Sequence, residues 1–170
     1  LSNDLYKLFL DNSMMYSCAM YDDTHDTLEK AQENKINHIV DSLDIKPTDH
    51  ILEIGSGWGS VAFAAATKKQ CKVTSITLSE EQLSYCKEKC KALNLENQVT
   101  FILQDYREMK GSFSHIISIE MIEAVGKHFL TRYFSKINNL LVPNGKAFIQ
   151  AITMNNEYYP KYEKNTDWIQ

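Results

Sequence analysis

The run Ile51-Leu52-Glu53-Ile54-Gly55-Ser56-Gly57-Trp58-Gly59 constrains this chain more than any other stretch. A short apolar strand ends in glycines at every second position, and a helix-like run follows. Glycine lets the backbone turn sharply and approach a ligand, and the helix start aims its free amides at that ligand. The same residues would also serve as a plain surface turn. The acid at Glu53 and the strand–turn–helix context favour a nucleotide-type cofactor site.

The kind of cofactor follows from what surrounds the glycines. A dinucleotide fingerprint reads G-x-G-x-x-G, with an acid about twenty residues on for the ribose. Here the order is G-x-G-x-G, and Thr77 stands near the place of that acid. The chain has no Gly-Lys-Ser/Thr phosphate cradle. The pattern resembles motif I of the class I S-adenosylmethionine methyltransferases, in which the glycines make room for the methionine part of the cofactor.

Composition narrows the classes further. The 170 residues are one domain's worth of chain. Its net charge is −4 and its only arginines are Arg107 and Arg132, so no nucleic-acid footprint is present. No eighteen-residue apolar run or signal-peptide pattern argues for membrane spanning or secretion. Cys18, Cys71, Cys86 and Cys90 are scattered, which suits a reducing compartment. Cys86 and Cys90 lie four apart on a predicted helix, but no second pair completes a zinc site, and no metal is expected. The chain opens on Leu1 rather than Met and closes on Gln170 after a polar stretch, which reads as a piece of a longer protein.

Periodicity predicts alternating units. Leu5, Leu8 and Phe9 give residues 2–10 an amphipathic helical start, and a turn-rich, aromatic stretch runs from Asn12 to Asp26. Thr27 can cap a helix that extends to about Leu43, and Pro47 breaks the chain after it. Strands are predicted at His50–Ile54, Lys72–Ile76, Val99–Leu103, His115–Ile119 and Lys146–Ile152. Helices are predicted from Trp58 to Lys68, from Ser79 to Leu93 and over most of Gly126–Leu141. Pro143-Asn144-Gly145 reads as a turn. Such alternation means a mostly parallel sheet with helices on both faces, an α/β Rossmann-like fold preceded by an N-terminal helical segment. We divide the chain into a cofactor-covering segment, 1–46, and a methyltransferase core, 47–170. Ligands in such sheets sit at the carboxyl ends of the strands.

Several stretches in order go beyond the general class. They are Tyr16-Ser17-Cys18-Ala19, Leu28-Glu29-x-Ala31-Gln32, the Glu53–Gly59 run, Thr77-Leu78-Ser79-x-x-Gln82, Asp105-Tyr106-Arg107 and Glu120-Met121-Ile122-Glu123-Ala124-Val125-Gly126. Together they resemble the cyclopropane fatty acid synthase family, and the residue choices look closest to its plant and protist branch. The resemblance implies a class I methyltransferase that adds a methylene from S-adenosylmethionine across a cis double bond of a phospholipid acyl chain. The partner it implies is unsaturated phospholipid at a membrane surface, met by a cytoplasmic, peripheral protein. A homodimer remains open. The family continues past Trp168-Ile169 into a lipid-facing region that is not in this chain.

The resemblance also assigns residues. Gly55 and Gly57 match the lining of the methionine part. Thr77, Leu78 and Gln82 match the ribose contacts, where a hydroxyl and an amide can replace the usual acid. Asp105 and Tyr106 fall where the adenine edge belongs, where a carboxylate can accept from the exocyclic amine and a ring can stack; a polar turn is the lesser alternative. Tyr16 and Ser17 belong to a loop that folds over the cofactor, and Ile119 ends the fourth strand beside it. The family holds a bicarbonate ion as base, and the Cys18 backbone and Glu123 match its holders. Glu120 reads as a surface carboxylate. Gln150 stands where bacterial members carry His; it can hydrogen-bond an anion but cannot exchange protons near neutral pH.

The chemistry asks for such a pocket. An alkene has no proton to give before it attacks, so positive charge develops on carbon once methyl arrives, and a base must then remove a proton. Tyr16, Tyr21, Phe129 and Tyr133 could offer aromatic faces to that charge. Phe129 and Tyr133, at helical spacing, read better as core. Two other readings stand beside this one: an N-methyltransferase of small amines or alkaloids, of the related coclaurine type, and a non-catalytic cofactor-binding domain.

Overall fold

The computed structural model describes residues 3–162; Trp168 and Ile169 lie outside them. Five strands form one sheet: β1 (His50–Ile54), β2 (Lys72–Thr77), β3 (Val99–Leu103), β4 (Phe113–Ile119) and β5 (Leu141–Gln150). Their order is β3-β2-β1-β4-β5 and every neighbouring pair is parallel. A parallel sheet is covered on both faces, so residues of its central strands are buried whichever face they point to. β1 shows this: Ile51, Leu52 and Ile54 are all buried, on alternate faces.

Three helices cover one face: α2 (Leu28–Ser42), α3 (Ser60–Lys69) and α4 (Glu80–Ala92). Their core contains Ile39 and Val40 from α2, Val61 and Ala65 from α3, and Cys86 and Cys90 from α4, packed on Ile51, Val73, Phe101 and Ile117. The opposite face holds Leu52, Ile54, Ile76 and Ile116 under Tyr133, Ile137 and Leu140 of α5 (Leu130–Leu140). Capping follows the sequence: Thr27 accepts from Lys30 N at the start of α2, and Ser79 from Gln82 N at the start of α4. Burial pushes the Cys86 thiol up to about 12, which marks it as inert packing.

Several elements depart from their predicted bounds. Among the described residues the first helix is α1 (Asn3–Tyr6), and Leu8 and Phe9 are exposed beyond it; exposed residues add no packing that would extend so short a helix. β4 begins two residues before His115, at Phe113. β5 begins at Leu141, and the predicted Pro143-Asn144-Gly145 turn lies within it. The register jumps from Phe113↔Leu141 to His115↔Lys146, so the turn is looped out of an otherwise paired strand. Gly145 is required there, because a Cβ would lie 2.8 Å from Ser114 O.

The connections run outward from β1 through β2 to β3, and from β4 to β5 on the other side. The chain therefore reverses its winding between β1 and β4, the switch point at which open α/β sheets bind ligands.

Candidate functional site

At the end of β1 the glycine turn is built by local bonds. Gly55 N and Ser56 N both donate to Ile76 O, at 3.0 and 2.9 Å, which ties the turn to β2. Gly57 has φ +49, and a Cβ on it would meet nothing within 4 Å. The backbone thus borders open space that a side chain would fill. Gly55 differs: its Cβ would lie 2.7 Å from Met121 Cγ and Sδ. No side chain caps α3, which starts just after the turn, so its first amides remain available to a ligand.

Beneath the turn lies Glu53, 3 % exposed, accepting from the Ser75 hydroxyl across the β1–β2 register. Burial pushes its carboxyl up to about 8. It is a support under the turn, with Cys86, whose thiol donates to Gly57 O at 3.5 Å.

At the end of β2, Thr77 donates to Gln82 Oε1 at 2.8 Å and accepts from Ser79 N at 3.1 Å. This leaves the Gln82 Nε2 donors without a partner among the described residues, a fitting pair for hydroxyl oxygens. Leu78 is 72 % exposed at the rim. At the end of β3, Asp105 faces its own neighbour: the Arg107 guanidinium and backbone N both bond its carboxylate and hold it below the usual carboxylate range. Tyr106 is half-buried, edge-on to Tyr133 at 5.4 Å. Tyr133 is core, its hydroxyl donating to Ser118 Oγ at 2.6 Å. Phe129 and Tyr21 are exposed.

The N-terminal segment is strapped over this end of the sheet. Tyr6 packs on Trp58 at 4.7 Å and on Tyr16 at 5.2 Å, and the Trp58 indole donates to Asn3 Oδ1 at 2.9 Å. The Ser60 hydroxyl donates to Ser13 O. The Tyr16-Ser17-Cys18 loop is clamped from α2. Gln32 Nε2 donates to Met15 O and Ser17 O. Lys35 Nζ donates to Ser17 O, Ser17 Oγ and Cys18 O at 3.1, 2.7 and 2.8 Å. Burial lowers the Lys35 ammonium to about 8, while Glu120, Cys18 and Asp11 act to raise it.

The loop meets the ends of β4 and β5 at Glu120. Cys18 N donates to Glu120 Oε1 at 2.9 Å, and Gln150 Nε2 donates to the same oxygen at 2.8 Å. Ile119 lies beside them, in register with Gln150. Glu120 is therefore not a surface carboxylate: it is half-buried and bonded to both neighbours the sequence singled out. Glu123 sits apart from this trio. It is exposed and accepts from Ile152 N.

Lys35 is the residue sequence reading missed; Gln32 stood in a motif stretch without a role, and Glu120 was read as a surface carboxylate. A signal existed for Lys35: a cation in the apolar stripe of α2, one turn from Ala31 and Ile39, needs buried acceptors. Nothing local told Glu120 from a surface carboxylate.

The open space at Gly57, the uncapped α3 start and the free Gln82 amide fit S-adenosylmethionine. A bicarbonate ion does not fit the other end. The Cys18 N–H bonds Glu120, the Gln150 amide bonds Glu120, and all three Lys35 donors bond loop oxygens. A second anion would also lie against the Glu120 carboxylate.

Comparison with known proteins places the chain. It is 38% identical to the tuberculostearic acid methyltransferase UfaA1 of Mycobacterium tuberculosis, over 100% of this chain and 41% of that protein. It is 38% identical to the cyclopropane-fatty-acyl-phospholipid synthase of Escherichia coli, over 89% of this chain and 38% of that protein. The fold superposes on the cyclopropane synthase MmaA2 of Mycobacterium tuberculosis with a TM-score of 0.89 at 26% identity, covering 99% of this chain and 60% of that one. The chain thus spans about two-fifths of the length of these curated relatives. Residues 1–170 match the mycolic acid cyclopropane synthetase family throughout, and the chain belongs to that family.

Proposed function

We propose that this chain carries the cofactor-binding part of an S-adenosylmethionine-dependent C-methyltransferase acting on the cis double bond of unsaturated phospholipid acyl chains. The observation that carries the reading is the meeting of two features at the switch point: the open cradle at Gly57 and the clamped Tyr16-Ser17-Cys18 loop. S-adenosylmethionine, when bound, supplies an electrophilic methyl group on a positively charged sulfur. Gly57 gives its methionine part room, Gly55 lets the turn pack closely on Met121, and the Gln82 amide, oriented by Thr77, would hold hydroxyls. Tyr106 would border the adenine, with Asp105 set by Arg107. The described part of the N-terminal segment, residues 3–46, would cover the site, excluding water from a developing carbon cation. Tyr16 offers it a ring face and Glu123 a negative charge.

Bicarbonate is left out of the proposed chemistry, because the donors that would hold it are engaged. The phospholipid partner would be met at the cytoplasmic face of a membrane, where Leu8 and Phe9 stand exposed beside the strapped loop. Among the described residues no helix is long and apolar enough to cross a membrane. The amine N-methyltransferase reading is not favoured beside relatives named for fatty-acyl substrates.

The test is mass spectrometry of phospholipid acyl chains from a host lacking its own cyclopropane synthase and expressing the complete reading frame. The expected product is an acyl chain heavier by one CH₂ that resists hydrogenation. Unchanged lipids, with cofactor still bound by the purified protein, would refute the reading.

A further inference from the structure

A carboxylate of the chain stands where the family resemblance calls for a free anion. Glu120 Oε1 accepts both donors, Cys18 N–H and Gln150 Nε2. Its second oxygen, Oε2, takes no hydrogen bond among the described residues. The backbone holds the side chain in this place: Glu120 N donates to Gln150 O at 2.9 Å, and the residue sits at φ +49, in the left-handed region that a glycine would occupy freely. The nearby Lys35 cation, fixed on three loop oxygens, complements the Glu120 charge without bonding it.

We propose that Glu120 is the base of this site, built into the chain in place of an exchangeable bicarbonate. The inference rests on the reading under Proposed function. In the step assigned to it, one C–H bond of the carbon delivered to the alkene breaks. Its electron pair forms the new carbon–carbon bond, the positive charge is cancelled, and the proton ends on Oε2. No oxidant or further reactant enters. Gln150 and the Cys18 backbone become positioning groups that hold Oε1 so that Oε2 faces the reacting carbon. A neutral Gln at position 150 suits this role better than a His, since it donates to the carboxylate without competing for the proton.

The test titrates carbon-13 bicarbonate into the protein and follows line broadening by NMR, beside turnover in bicarbonate-depleted buffer. The wild-type chain is expected to show no saturable bicarbonate binding and to keep its turnover on depletion. Glu120→Gly relieves the backbone and frees both donors; it is expected to gain bicarbonate binding and turnover that rises with bicarbonate. Glu120→Gln keeps the shape and loses turnover by about 10²–10⁴-fold, with no rescue. Saturable binding to the wild type, or wild-type turnover lost on depletion and restored by bicarbonate, would overturn the proposal. The NMR readout needs no lipid product, so absence of product counts against the proposed function alone.

Discussion

The two ends of this site are made in different ways. The β1–β2 end is assembled from neighbours in sequence: the Thr77–Gln82 bond spans 5 residues, and the glycine turn hangs on the adjacent strand. It leaves open space beside Gly57. The β4–β5 end is assembled across the chain: Cys18 reaches Glu120 over 102 residues and Gln150 over 132. There every donor is already bonded to another group of the protein. One end is shaped to receive something from outside, and the other carries its reactive group within itself.

Breaking the open end has the largest expected effect. Gly57→Val fills the cradle and forces a β-branched residue to φ +49. Calorimetric affinity for S-adenosylmethionine is expected to fall more than about 100-fold, taking turnover with it; unchanged affinity would mean the cradle is not the cofactor's. Glu120→Gln strikes the self-contained end. Turnover falls by about 10²–10⁴-fold while cofactor affinity stays near the wild-type value, so the two ends separate in one pair of variants.

The clamp comes next. Lys35→Met leaves Ser17 O, Ser17 Oγ and Cys18 O without their shared donor. Ser17 O keeps Gln32 and Cys18 O keeps Gln150, so what is lost is the charge-assisted bonding, about 1.5–3 kcal/mol per bond; the loop loosens and turnover drops about tenfold. Limited proteolysis within residues 13–20, faster than in the wild type, is the direct reading of that loosening.

The smallest effect is on stability. Glu53 titrates near 8 in the fold against 4.5 as its ordinary value, so the native state binds the extra proton between those limits. Stability contributed there is present at low pH and lost as pH rises from about 4.5 to 8. Glu53→Gln cannot titrate. Its thermal midpoint is expected to fall less than the wild type's between pH 5 and 8, and parallel curves would show that Glu53 is ionised throughout.

What could be read in advance follows the same division. The strands, the Thr27 and Ser79 caps and the glycine turn depend on residues a few positions apart, and periodicity reports them. Thr77 and Gln82 were singled out by the resemblance as ribose contacts; the bond between them is local but was not foreseen. Glu120 was misjudged because its environment comes from Cys18 and Gln150, on segments that only the folded sheet brings together. Glu123, three residues on, looked equivalent on a helical face. The chain turns at Glu120 through a positive φ instead, so the two carboxylates part. Lys35 was visible as a cation in an apolar stripe, but its acceptors are backbone oxygens that sequence does not display.

The most direct measurement supplies methionine with a fully deuterated methyl group to the expression host and weighs the acyl chains formed. Methyl delivery to an alkene followed by proton removal at Glu120 predicts chains that gain a CD₂ unit, the third deuterium being lost to the base. Chains that keep an intact CD₃ group would contradict the account, because no proton would have left the delivered carbon.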